Sequence, residues 1–136
     1  MVILFDRFNL PEDIFEIIFA TKQQIIVAKV LMNYIKENGE EINKTTMSMF
    51  ATQLHEGKLI TTIDEEPYIG KKVKLSYNKR QFYDRILTPM KSMGIIDYDL
   101  YKKTYRLSDK FNKDMIRIGL MWLREHKKPP FNIKKS

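Results

Sequence analysis

Apolar and polar positions alternate along this chain in two rhythms, one of 3.6 residues and one of two, and the changes of rhythm mark its elements. Pro11, with Glu12 and Asp13 beside it, is a favourable helix start, and Ile14, Ile17 and Ile18 give the stretch from about Pro11 to Ala20 an apolar stripe. Thr21 has the side chain to cap a second helix through about Asn38, where Gly39 stops it. Val27, Leu31, Tyr34 and Ile35, with Ile26 and Val30 beside them, make a face so broad that it needs cover on two sides. That cover comes either from the rest of the domain or from a second subunit. After a polar connector at Glu40–Lys44, Thr45 or Thr46 is the expected cap of a third helix. On it Met47, Phe50, Ala51 and Leu54 fall at i, i+3, i+4 and i+7, and Gly57 is the C-terminal signal.

The rhythm then changes to two. Leu59-Ile60-Thr61-Thr62-Ile63 is rich in β-branched residues, Asp64–Pro67 is turn-like, and Val73, Leu75 and Tyr77 alternate with Lys72, Lys74 and Ser76. Residues 58–77 therefore read as a hairpin. The helical period returns with Phe82, Ile86, Met90 and Met93 on one face, while Arg80, Gln81, Asp84, Arg85, Thr88 and Lys91 occupy the opposite arc. Asn78 with Gln81 three residues on has capping-box spacing, and Gly94 is placed to take the left-handed conformation after the last turn. Pro89 removes one intrahelical hydrogen bond and crowds the carbonyl near Arg85, which predicts a bend. Ile95–Ile96 open a strand, Asp97–Thr104 is a polar and aromatic loop with Lys102 and Lys103, and Tyr105-Arg106-Leu107 alternates as a second strand.

Ser108 or Asp109 then caps a last helix to about His126, ended by Pro129–Pro130. Phe111, Met115, Ile118 and Trp122 form one stripe on it, and Ile116, Leu120 and Leu123 an adjacent one, more apolar surface than one small domain usually hides. The helix either packs on its own domain or joins two copies. The fold class expected is mainly α with small β-hairpins, α+β, in a single domain over residues 1–136. It divides into N-terminal helices (11–57), an inserted hairpin or loop (58–77), a helix and hairpin (78–108), a C-terminal helix (109–128) and a basic tail (129–136) with Lys134 and Lys135.

The pattern Arg80-Gln81-x-x-Asp84-Arg85-Ile86-Leu87-x-x-Met90-Lys91-x-Met93-Gly94-Ile95-Ile96, followed by Tyr105-Arg106-Leu107-Ser108, resembles the recognition helix and wing of the winged helix-turn-helix family. The resemblance implies a winged helix-turn-helix with extra N- and C-terminal helices, its third helix lying in the major groove of double-stranded DNA and its hairpin loop on the adjacent backbone. The chain departs from the family pattern at residues 58–77, where the family has a tight turn of a few residues. Small regulators of this fold often dimerise through a helix after the wing, so the resemblance also implies a homodimer through the C-terminal helix, with the N-terminal helices as another candidate surface.

Net charge is +7, and its distribution says more than its size. Residues 78–136 carry 15 Lys and Arg against 6 Asp and Glu, whereas residues 1–77 carry 9 against 11. The positive charge thus sits on the half with the helix and hairpin, the footprint of a polyanion-binding face. If the helix enters the major groove, Lys79, Arg80 and Gln81 near its start, with Asp84, Arg85 and Thr88, are placed to reach base edges. An arginine on guanine or a glutamine on adenine contributes about 1–3 kcal/mol of discrimination. Tyr77, Asn78 and Lys91, with Tyr101, Lys102 and Lys103 of the loop, would hold phosphates and fix register. The expected function is that of a transcriptional regulator acting by occupancy.

Catalytic chemistry finds no foothold. There is no cysteine, and His55 and His126 lie on different expected helices without an acidic partner set, so both read as surface residues. The motifs G-x-x-x-x-G-K-[ST], G-x-G-x-x-G and G-x-S-x-G are missing, and Gly70-Lys71-Lys72 resembles none of them. Glu40–Glu41 and Glu65–Glu66 lie in connectors where nothing separates their pKa values as acid–base catalysis requires. The chain is expected not to be an enzyme and to need no cofactor or metal. Met1–Phe5 lacks the basic start of a secretory signal and no uncharged run reaches membrane-spanning length, so a cytoplasmic protein is expected, with no membrane partner. Two rivals stand beside the duplex reading. One is a winged-helix adaptor in a replication or transcription assembly, for which the hairpin at 58–77 speaks. The other is a single-strand or RNA binder stacking bases on Tyr77, Tyr83, Tyr98, Tyr101 and Tyr105.

Overall fold

Helix α2 (Lys22–Glu37) is the hub, because Ile25, Ile26, Val27, Ala28, Val30, Leu31 and Ile35 all turn inward. The computed structural model describes residues 6–62 and 72–133. Within them the domain itself covers the broad α2 face: α1 (Ile14–Ile18) lies on one side, and a small sheet and the helical segment after residue 78 lie on the other. Thr21 caps α2 through a bond from the Gln24 N–H at 3.2 Å, and Gly39 leaves it with φ 81°. The first helix is shorter than its apolar stripe suggests. Asp13 accepts the Phe15 N–H at 2.9 Å and so starts the helix two residues after Pro11.

Strand β1 (Glu41–Asn43) and helix α3 (Lys44–His55) follow without a loop. The connector expected at Glu40–Lys44 is thus a strand, and the expected caps Thr45 and Thr46 lie inside the helix. Asn43 is the cap, its Oδ1 accepting the Thr46 N–H at 2.7 Å. Asparagine is among the best capping residues, and it stands where the extended backbone of β1 ends. Met47, Phe50, Ala51 and Leu54 of α3 are buried, as their spacing requires.

Strands β2 (Leu59–Thr62) and β3 (Lys72–Leu75) form the inserted hairpin, with Leu59 opposite Leu75 and Thr62 opposite Lys72. The expected turn at Asp64–Pro67 lies outside the described residues, as do Met1–Phe5, Glu65, Gly70, Lys71, Lys134 and Lys135. The helical rod beyond has three continuous parts: α4 (Lys79–Phe82), a π-helical turn (Tyr83–Leu87) and α5 (Thr88–Ser92). The Thr88 N–H bonds the Tyr83 carbonyl five residues back. Pro89 has no N–H to give, and the wider turn just before it is how the rod absorbs that loss. The turn also brings Leu87 inward beside Ile86, so that Phe82, Ile86, Leu87 and Met90 are all buried. Aromatic rings tie this face to the hub, with Phe82 to Phe50 at 5.6 Å and Phe50 to Tyr34 at 5.1 Å between centroids.

Gly94 ends the rod with φ 79° and leads into β4 (Ile96–Asp99), then a turn, then β5 (Thr104–Leu107). The antiparallel sheet has the order β1-β5-β4, with Ile42 opposite Tyr105 and Tyr98 opposite Tyr105. Helix α6 (Lys110–Lys127) completes the chain, with Asp109 as its N-terminal flanking residue. The fold is α+β.

Packing of α6 on its own domain, one of the two expectations, fails beyond its first turn. Phe111 is half-buried against the core, but Met115, Ile116, Ile118, Leu120, Met121, Trp122 and Leu123 are 42–66% exposed. The helix leaves the domain where Gly94 meets Lys110, so its apolar stripes point into solvent.

Candidate nucleic-acid interface

The rod has one apolar and one polar face by its spacing, and burial of the first fixes the direction of the second. Since Phe82, Ile86 and Met90 are fully buried, Arg80, Gln81, Asp84, Arg85 and Thr88 face outward, and all five are exposed. Arg80 lies 3.9 Å from Asp84 one turn on, both side chains largely in solvent. An exposed pair of this kind contributes at most about 1 kcal/mol, less than a bidentate base contact, so Arg80 is available. Asn78 starts the rod, its Oδ1 accepting the Gln81 N–H at 3.0 Å. Its side-chain oxygen therefore serves the helix.

Two expected contacts are drawn partly back into the protein. Lys79 is half-buried, with Nζ donating to Thr52 Oγ1 at 3.0 Å and its backbone N–H donating to His55 Nδ1 at 3.1 Å. These bonds join the start of the rod to the end of α3. Lys91 is exposed but its ammonium lies 5.5 Å from the Tyr98 ring centroid and 5.9 Å from that of Tyr105. That cation–π pair holds the end of the rod against the strands of the hairpin. Burial pushes the Tyr105 phenol up, with the neighbouring Tyr83 and Tyr98 adding to it.

Tyr77 is a correction. Expected to hold phosphate, it is buried at 6% exposure, and its N–H donates to the Leu54 carbonyl at 3.0 Å. It closes the base of the β2–β3 hairpin onto α3, continuing the inward alternation of Leu75, and has no surface to offer a ligand.

The β4–β5 turn is built by Asp99. Its Oδ1 accepts N–H groups from Tyr101 at 2.9 Å and Lys102 at 3.1 Å, which folds the backbone back on itself. Those two bonds, Lys102 first, hold the Asp99 carboxyl below the usual carboxylate range. Lys103 takes φ 54°, and its carbonyl accepts the Lys44 N–H at 2.9 Å, so the turn is pinned to the start of α3. The pinning leaves Tyr101, Lys102 and Lys103 exposed at the tip. Below the tip, Asp97 receives Lys110 at 3.1 Å and Arg106 at 3.6 Å, joining the hairpin to the root of α6.

Sequence reasoning missed the outer face of α3. Thr45, Ser48, Met49, Thr52 and Gln53 line a shallow depression there, and Thr52 joins it to Lys79. The regular i, i+4 spacing of hydroxyls opposite the buried Met47–Leu54 stripe was the available signal. Among the described residues, no group of three or more His, Cys, Asp or Glu side chains is placed to hold a metal ion, and no helix is long and apolar enough to cross a membrane. The chain matches no family model, and no curated protein or solved structure matches it.

Proposed function

We propose that this chain is a winged-helix protein that binds double-stranded DNA as a homodimer and regulates transcription by occupying its site. In this reading the α4–α5 rod is the recognition helix and the β4–β5 hairpin is the wing. The observation that carries it is the outward placement of Arg80 and Arg85 on a rod whose opposite face is locked into the core. A rigid helix that presents guanidinium groups meets the major groove without having to be ordered first. The element order supports it as well: helix, strand, helix, helical rod and hairpin, with the first strand joining the hairpin in a three-stranded sheet.

The roles then divide by reach. Arg80, Gln81, Asp84, Arg85 and Thr88 read bases, while Lys102, Lys103 and Tyr101 hold the backbone, and Lys79 and Lys91 mainly position the rod between α3 and the hairpin. Burial of Tyr77 and Tyr105, and the half-burial of Tyr83 and Tyr98, leave Tyr101 alone of those five rings in the open, which speaks against a stacking platform for single strands. The test is competition between duplex and single-stranded oligonucleotides for the purified protein, followed by selection of preferred duplex sequences. A preferred duplex sequence that Arg80→Ala and Arg85→Ala relax supports the reading. Equal affinity for single strands, or no duplex affinity, refutes it.

A further inference from the structure

Helix α6 presents an apolar arc that nothing in its own subunit covers, and the arc has a specific centre. At about 100° per residue, Phe111, Met115, Ile118 and Trp122 lie along one side and Ile116, Leu120 and Leu123 along the other, with Gly119 midway between them. A methyl group added at Gly119 would meet nothing within 4 Å. Nothing inside the subunit therefore requires glycine there, and an alanine would form the helix better. A glycine at the middle of an exposed apolar face lets a second backbone come close, and side chains on both sides of it can interlock with the other helix.

The borders of the arc choose the partner and its direction. Asp114 and Glu125 flank the Phe111–Trp122 side, whereas Lys113, Arg117 and Arg124 flank the Leu120 side. When two copies of one helix face each other in parallel, unlike borders meet; when they run antiparallel, like borders meet. Parallel and in register, Asp114 stands opposite Lys113 and Arg117, and Glu125 opposite Arg124. Antiparallel about Gly119, Asp114 would meet Glu125 and Lys113 would meet Arg124. The charges match in the first arrangement and clash in the second.

The area is also sufficient. Seven apolar side chains of α6 are 42–66% exposed. At on the order of 100 Å² each they offer about 700 Å² per copy, close to the roughly 800 Å² that each partner contributes to a standard stable interface. We propose that α6 pairs with α6 of a second copy of this chain, parallel and in register, the two helices crossing at Gly119. This gives a surface to the homodimer of the function proposed above and rests on that self-association, but it requires no DNA for its test.

Sedimentation equilibrium of the full chain without nucleic acid is expected to give twice the 16.3 kDa chain mass. Gly119→Ala is expected to weaken the dimer by about tenfold or more, because a methyl at a close crossing holds the backbones apart. The same change in an unpaired helix has the opposite sign and only stabilises it, so a tighter or unchanged dimer overturns the crossing. Direction is read with single thiols, since the chain has no cysteine. Asn112→Cys and His126→Cys lie seven residues either side of Gly119 on the same face. With a short bis-maleimide each variant should cross-link to itself; cross-linking only in their mixture overturns the parallel arrangement. A single-chain mass overturns the pairing altogether, leaving the face for a different protein. Duplex affinity is measured separately, so loss of that reading leaves these outcomes unchanged.

Discussion

Gly94→Ala is the perturbation whose cost the structure defines best. The residue sits at φ 79°, where an L side chain costs about 1–2 kcal/mol. A methyl there would also stand 2.9 Å from Lys110 Cβ and 3.2 Å from the Phe111 backbone nitrogen. Neither neighbour is a flexible side-chain end. Lys110 Cβ belongs to the first turn of α6, and the Phe111 N–H donates to the Gly94 carbonyl at 3.2 Å, so relief requires the root of α6 to move. The steric part should add about 1–3 kcal/mol, as overpacking does elsewhere. The total expected loss is then about 2–5 kcal/mol. Gly39 is the control: it has φ 81° and nothing within 4 Å of an added methyl. Gly39→Ala should lose only the conformational part, about 1–2 kcal/mol. Urea unfolding of both variants, with slopes compared so that a change in midpoint reads as a change in stability, measures the difference. Equal losses would refute the close contact between the Gly94 corner and α6.

Three further outcomes follow from the same geometry. Asn43→Ala should cost about 1 kcal/mol in thermal or urea unfolding by removing the α3 cap, whereas Thr45→Ala should cost little. The Lys29 ammonium holds the Asp13 carboxyl below its ordinary value of 3.8, with the Phe15 N–H adding to this against a burial penalty. The group's folded pKa is depressed, so its contribution to stability is full above about 3.8 and is lost as pH falls through the lower folded value. Asp13→Asn should therefore flatten the acid limb of a stability–pH curve below that point, read by circular dichroism. Arg80→Ala and Arg85→Ala should relax sequence preference, while Lys102→Ala and Lys103→Ala should weaken binding to all duplexes alike, as parallel binding-site selections would reveal.

What the sequence made legible was local. Thr21, Asn78, Gly39, Gly57 and Gly94 mark helix boundaries through bonds to residues three to five away, and each does so in the structure. The apolar faces of α2, α3 and the rod followed from spacing alone. Strand β1 was hidden because it holds one buried residue, Ile42, and its partners are Arg106, Tyr105 and Thr104, more than sixty positions on. Pairing at such distance leaves no trace in a three-residue pattern. Tyr77 was legible in two ways, as the last inward residue of a hairpin and as a neighbour of the basic helix, and burial against Leu54 chose the first. For α6 the spacing showed how much apolar surface there was, but which body covers it depends on the corner at Gly94, which turns the helix away from the domain.

The candidate interface divides in the same manner. Arg80, Gln81, Asp84, Arg85 and Thr88 were readable as the arc opposite the core stripe. That Lys79 and Lys91 reach back, one to Thr52 and the other to Tyr98 and Tyr105, depends on tertiary neighbours that spacing does not encode.

The most direct test of the account is the salt dependence of duplex binding. Each phosphate neutralised contributes about −0.9 to the slope of log affinity against log salt, so a rod and wing that engage about four phosphates per copy should give a slope of about −3 to −4 per copy. The account predicts that line, with Lys102→Ala and Lys103→Ala together making it shallower by about 2. A flat response across the same salt range would contradict it.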